Sequence, residues 1–351
     1  MPSYRKNEKN RYIRRSKIIF GKTAGEMGGT YNNIERPFCL PDNLSKYNLH
    51  KSIRKDAIDY FRLRCIPWHD GKPYTDPQSG DLIKSGNPSN HVCCSQSKCV
   101  NVLFPFRRDP DALRKLLKKI GFDVSACLPI LNDHGEHDSL LGFEWIGAHN
   151  YLMEYQGGRP ARCHNRSRGA NFTSADFVIR FKETDGKIHV ILGEWKYTEE
   201  YKNTKSKALG SSGVTRLSIY KPLIKHSGLR FGRKIKLEEL FFEPFYQMMR
   251  LQLLAAAMEK PVPGENAGEM NADIVSVLHV SPAANEGLRD TVTSPALRGL
   301  GNDIYEVWEQ IAPERRFHHF DSEKLIDFAA SKALPAGFDN WAAWMRRRYL
   351  R

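Results

Sequence analysis

At 351 residues and 40.2 kDa, with 40% hydrophobic and 11% aromatic residues, the chain has material for a substantial core and too much for wholesale disorder. Lys and Arg number 54 against 40 Asp and Glu, and the resulting charge of +14 points to a polyanionic partner. No apolar run reaches the roughly 18 residues of a membrane span, and seven unevenly spread cysteines suit a reducing compartment.

The basic start MPSYRKNEKNRYIRRSK lacks the apolar core of a secretory signal, so a cytoplasmic protein with no membrane partner is expected. The first 48 residues carry breakers, among them Gly21, Gly25, Gly28, Gly29, Pro37 and Pro41, and no sustained period. Ile53, Ala57, Ile58 and Phe61 then predict a helix within 50–66. Residues 67–90 read as loop, and 91–106 are rich in cysteine and apolar residues. Asp109-Pro110-Asp111 caps a basic amphipathic helix, ALRKLLKKI, which Gly121 stops. The pattern over 140–155 is ambiguous between helix and strand. Two apolar runs, 177–181 and 188–195, are joined by Glu183-Thr184-Asp185-Gly186, a hairpin signal. A long helix is predicted over 236–259 and a buried strand over 273–280. After Asn302 the chain reads as three helical segments broken at Pro313 and at Pro335-Ala336-Gly337. Strands interleaved with helices make this an α/β chain.

Three apparent motifs fail on spacing. Gly21-Lys22-Thr23 lacks the earlier glycine of a phosphate loop, because Ser16 stands in its place. Cys65, His69, His91, Cys93, Cys94 and Cys99 are only loosely compatible with paired zinc ligands, so no zinc site is expected. Asp133, His134, Glu136, His137 and Asp138 read as a solvated polar loop.

The chemistry lies in the predicted hairpin. Asp176 opens one strand, while Glu194 and Lys196 sit near the end of its partner and alternate onto one face. Two carboxylates converging beside an ammonium suit metal-assisted phosphodiester hydrolysis. The lysine can orient or help deprotonate the attacking water and offset charge in the transition state. Similar triplets at Asp70-Gly71-Lys72 and Asp185-Gly186-Lys187 fall in turns, and Glu200-Tyr201-Lys202 lies past the strand end. Only Glu194-Trp195-Lys196 follows a buried-type run with an acid heading the preceding strand.

These residues resemble the PD-(D/E)XK nuclease superfamily, and within it a bacterial restriction-endonuclease-like subgroup. The likeness is carried by Phe143-Glu144-Trp145, Gly169-Ala-Asn-Phe-Thr-Ser-Ala-Asp176 and Glu194-Trp-Lys-Tyr-Thr-Glu199. Upstream, Cys94-Ser-Gln-Ser-Lys-Cys99-Val-Asn101 looks like that subgroup's Ser-Gln-x-x-Cys-x-Asn element. Ala175 stands where the superfamily's name has proline. The resemblance implies a restriction-endonuclease-like core, a central mixed β-sheet flanked by helices, with mainly helical and loop extensions at both ends. It also implies a Mg²⁺ cofactor for which Mn²⁺ can substitute, metal-ligand roles for Asp176 and Glu194, and a catalytic role for Lys196. Glu144 is a candidate for the extra acid many members carry on an early helix, with Glu154 competing. Gln247 is a candidate for the downstream Gln that some members place beside the lysine.

The domains expected are a basic N-terminal extension over 1–89, a nuclease core over 90–282 and a helical region over 283–351. Residues 155–175 hold Arg159, Arg162, Arg166 and Arg168 and no acid; residues 201–237 hold ten basic residues, Lys202, Lys205, Lys207 and Arg216 among them, and no acid. Those fourteen equal the whole net charge, and they flank the candidate site. Backbone phosphate contacts to DNA are the expected use, with RNA and a homodimer also within the reading. The competing readings are an inactive nuclease-fold binding protein and a zinc-stabilised interaction module.

Overall fold

Ser3 caps the first helix, α1 (Tyr4–Phe20), through a hydrogen bond its side chain accepts from the Lys6 amide. Its buried positions are Glu8, Tyr12, Ser16 and Ile19, a helical stripe that is half polar. Glu8 is held there by Arg11 at 2.7 Å. A stripe of that composition leaves no hydrophobic period, which is why this helix is absent from the sequence reading. The computed structural model describes residues 3–77, 80–131, 137–155, 172–201, 204–232 and 235–350. They fall into two units: the described residues up to Phe122 with those from Ser322 onward, and those between Asp123 and Asp321. These borders differ from the boundaries at 89/90 and 282/283 expected above.

In the first unit, a ribbon of β1 (Thr30–Tyr31) and β2 (Ile34–Glu35) precedes α2 (Arg54–Leu63), the helix predicted within 50–66. The stretch expected to be loop instead forms an antiparallel pair, β3 (Gly71–Thr75) with β4 (Leu82–Ser89). Gly86 and Pro88 interrupt its alternation and hid it. Next come α3 (Ser95–Leu103) and α4 (Pro110–Ile120). Asp109 accepts from the Ala112 amide at 2.9 Å, and Gly121 ends α4 at φ 116°, as its caps predict.

The second unit is built on β5 (Ala126–Leu128), β6 (Leu141–Trp145), β7 (Ala175–Lys182) and β8 (Ile188–Trp195), followed by α5 (Gly210–Tyr220) and α6 (Phe245–Met258). Then follow β9 (Ile274–Ser281), α7 (Glu286–Arg289), α8 (Ile304–Ile311) and β10 (Phe317–Asp321). The six strands form one mixed sheet flanked by helices, in the order β10-β9-β8-β7, with β5 and β6 both pairing β7. The β7–β8 pair is the predicted hairpin; β9 runs parallel to both β8 and β10. Parallel neighbours need long crossovers, and the helices supply them. Val178, Val190, Leu192, Val275 and Val277 from the sheet pack with Phe245, Met249, Leu253 and Trp308 from α6 and α8.

Two expectations change here. The helix predicted over 236–259 starts only at Phe245, after a 3₁₀ turn over Leu237–Phe241, because Pro244 cannot continue a helix from before it. The tail is not wholly helical: Phe-His-His-Phe-Asp forms β10, whose polar residues masked a strand. Beyond it, α9 (Ser322–Ala329) and α10 (Asp339–Tyr349) belong to the first unit. Among the described residues, no helix is long and apolar enough to cross a membrane.

Candidate active site

The hairpin register puts Phe177 opposite Gly193, so Asp176 and Glu194 take the next opposed positions and share a face. On the other edge of β7, Glu144 falls between the Phe143–Phe177 and Trp145–Ala175 pairs, again beside Asp176. On β9, His279 is the register partner of Glu194. A row of polar side chains therefore crosses four strands just beyond the valines of the core. Glu144 has φ 47°, a left-handed conformation uncommon for a side-chain-bearing residue, and its Oε2 accepts from Ser174 Oγ at 3.1 Å.

Lys196 is buried two residues past Glu194. Its Nζ lies 2.5 Å from Glu194 Oε1 and also donates to Gln247 Oε1 on α6. Its backbone amide donates to Val280 O at 2.8 Å, extending the β8–β9 pairing. Burial pushes the ammonium pKa down, but Glu194, Tyr201, Glu199 and Asp176 together outweigh it and hold it well above the ordinary lysine value. Lys196 therefore keeps its proton. Asp176 is pushed the unfavourable way: burial, then Glu194, then Glu144 raise its carboxyl well above the usual range. Lys196 and a 2.6 Å hydrogen bond from the Trp195 amide oppose this only in part.

The site thus holds more carboxylate than its one ammonium offsets. Asp176 Oδ2 and Glu194 Oε1 are engaged, whereas Oδ1 and Oε2 receive no hydrogen bond from the described residues. Among the described residues no group of three or more His, Cys, Asp or Glu has metal-ligand geometry, so an all-protein cage is not formed. Two carboxylates suit a small hard divalent ion that keeps several waters and shares a substrate phosphate. By contrast, the look-alike pair Asp185–Lys187, also 2.5 Å apart, is exposed in the β7–β8 turn.

The structure corrects one position: Glu144 lies on strand β6, not on an early helix. It also separates the competing acids. Glu154 accepts from Thr173 N at 2.5 Å and Tyr220 OH at 2.5 Å, and pairs with Arg250 at 2.9 Å. Glu154 therefore anchors the approach to β7 rather than joining Asp176. Arg250→Ala is expected to cost about 3 kcal/mol by stranding that carboxylate, read as a lower denaturation midpoint with an unchanged slope.

Gly193 is needed for close approach. A Cβ built there meets the Phe177 ring at 2.1 Å, and both residues adjoin the site acids. Gly193→Ala must displace Phe177 and with it the Asp176–Glu194 alignment. A loss of about 1–3 kcal/mol of stability is expected, with Phe177→Leu/Gly193→Ala regaining part of it in thermal melts.

Of the predicted phosphate contacts, Arg159, Arg162, Arg166, Arg168 and Lys202 lie outside the described residues. Lys205 is exposed. Lys207 is 3.1 Å from Glu243, and Arg216 donates to Lys207 O at 3.0 Å. The upstream element serves the first unit's architecture. Gln96 Oε1 accepts from His69 N at 2.7 Å, Asn101 Oδ1 from His50 N at 2.9 Å, and Cys94 Sγ caps α3. Tyr201, Glu199 and His279 around Lys196 have no role in the sequence reading, although Glu199 closes the quoted motif; a histidine inside the buried-type run 273–280 was the available signal for His279.

The fold and site together define an α/β protein with paired carboxylates and a protonated lysine at one end of a mixed sheet. The chain belongs to the REase-ARP family, described as Restriction Endonuclease associating with ARP, whose sequence model matches residues 7–350. Comparison with curated proteins gives no match, and comparison with solved structures gives none.

Proposed function

We propose that the protein is a divalent-metal-dependent DNA endonuclease of the PD-(D/E)XK type, acting in restriction or phage defence, with the second unit as its nuclease core. The observation that carries this reading is the buried Lys196–Glu194 ion pair beside Asp176, an acid held with its carboxyl pKa raised. Family membership supports it through the restriction endonuclease in the family's description. Asp176 and Glu194 would hold Mg²⁺, or Mn²⁺ in its place. When bound, that ion lowers the pKa of water and stabilises charge on phosphoryl oxygens. Lys196, kept protonated, supplies a fixed positive charge where the pentacovalent phosphorus gathers negative charge. Gln247 orients the lysine through Oε1, and Glu144 adds negative charge beside Asp176.

The test incubates the protein with supercoiled plasmid, linear duplex and single-stranded DNA, in Mg²⁺ or Mn²⁺ against EDTA. Nicking or linearisation of closed circles with metal, and none with EDTA, is expected. Salt-dependent binding with no cleavage under any metal would instead identify an inactive binding protein.

A further inference from the structure

Away from the carboxylate site, the first unit has a half-open cavity of about 410 Å³ between the end of α1, the start of α2 and α10. Lys51, Arg54 and Arg347 line it with Phe20, Tyr47 and Trp344, and no Asp or Glu does. Among the described residues none of these three cations makes an ion pair with a carboxylate. The contrast with its neighbour is informative. A cavity of about 460 Å³ shares Tyr47 and Arg54 and is also lined by Lys46, but there Asp59 pairs with both Lys55 at 2.9 Å and Arg62 at 2.7 Å. What sets the first cavity apart is that no acid lines it.

That charge is kept at a cost. Arg54 begins α2, whose N-cap Ile53 provides no side-chain cap, so a cation stands at the positive end of a helix. Asp56 in the same turn is exposed and does not line the cavity. His50, in the wall, is pushed down to about 4, first by burial and then by Lys51, Arg54 and Arg348. The aromatic side is equally ordered. Trp344 lines the cavity with its indole N–H donated to Ile19 O at 3.0 Å, the Arg348 guanidinium over its ring at 4.8 Å and the His50 ring 5.1 Å away, and the Arg54 guanidinium stacks on Tyr47 at 4.2 Å.

Three cations with no counter-acid select an anion; Arg54 gives Nε and Nη2 to Leu49 O and adds its charge, while the Arg347 guanidinium can match phosphate oxygens in a pair. Ring surface beside them selects a planar group, and the volume suits a small organic ligand rather than a bare ion. We propose that this cavity binds a nucleotide, its phosphate on Lys51, Arg54 and Arg347 and its base against Trp344. The nucleotide is either free or part of a DNA strand. The site does not depend on the nuclease reading.

The test is calorimetric titration of the full chain in EDTA with deoxyadenosine monophosphate, inorganic phosphate and a 5′-phosphorylated octathymidylate. Saturable binding of the mononucleotide or the oligonucleotide is expected. Lys51→Gln/Arg347→Gln, at two exposed positions, should weaken it at least tenfold with an unchanged circular dichroism spectrum. Trp344→Leu should weaken the mononucleotide about tenfold while leaving inorganic phosphate unaffected. Displacement of the mononucleotide by the oligonucleotide marks a strand as the natural source; its absence marks the free nucleotide. The proposal is overturned by no binding of either nucleotide form, by binding insensitive to Lys51→Gln/Arg347→Gln, or by inorganic phosphate binding as tightly as the nucleotides. Plasmid cleavage assayed on the same preparations keeps this outcome separate from that of the nuclease test.

Discussion

Asp176→Asn is expected to lower metal-dependent cleavage by orders of magnitude and at the same time to make the protein more stable at neutral pH. The asparagine Oδ1 can still accept the Trp195 amide, so the strand pairing survives. What it removes is a negative charge beside Glu194 and Glu144, the two acids that, after burial, hold the Asp176 carboxyl above its usual range. The sign follows from linkage. With the folded pKa raised, the native state binds the proton more tightly than the unfolded chain, so stability falls as pH rises past the ordinary carboxyl range. The substitution cancels that loss. We expect the melting temperature at pH 7.5 to rise by about 2–4 °C, equivalent to about 1 kcal/mol, and the difference to vanish below about pH 4. Adding Mg²⁺ should stabilise the native protein and leave Asp176→Asn unmoved, since only the former keeps both carboxylates. Cleavage should fall about 10³-fold, the scale of losing a preorganised electrostatic group. A variant that melts lower than the parent at neutral pH, yet still cuts, would remove Asp176 from the site.

This opposition between stability and function explains what could be read from the sequence. The β7–β8 hairpin was legible because both strands are continuous apolar runs and Asp185-Gly186 fixes the turn between them. From that hairpin alone, strand alternation sets Asp176, Glu194 and Lys196 together. Gln247 was legible only through the family resemblance, since no local pattern on an amphipathic helix announces that one glutamine reaches a lysine 51 residues earlier. The acid beside Asp176 is Glu144 rather than Glu154, and the choice rests on tertiary pairing: Thr173, Tyr220 and Arg250 claim Glu154. His279 enters the same row because β9 pairs in parallel with β8 across a long crossover, and such a register has no local signature. Outside the site, α1 and β10 were missed for one reason. Each buries or half-buries polar side chains, Glu8 and Ser16 in one and His318 and His319 in the other, so hydrophobic periodicity is absent where packing is real.

Lys196→Met tests the other half of the site and is expected to give the largest combined effect. The ammonium is buried and bonded to Glu194 and Gln247, so its loss leaves a buried carboxylate facing Asp176 with no cation between them. Breaking a buried pair by removing one partner costs about 3–5 kcal/mol, and cleavage should fall by about 10²–10³ for want of the positive charge at phosphorus. The raised pKa of Lys196 means that its stabilising contribution is complete at neutral pH and is lost only above the ordinary lysine range. Stability and catalysis then separate in the double variant. Glu194→Gln/Lys196→Met removes both charges, so its melting point should recover most of what Lys196→Met loses, a coupling well outside additivity for two contacting residues. Its cleavage should stay at background. Restored cleavage in the double variant would mean that Lys196 serves the fold alone, and failure to regain stability would mean that the 2.5 Å pair with Glu194 is not what holds the lysine in place.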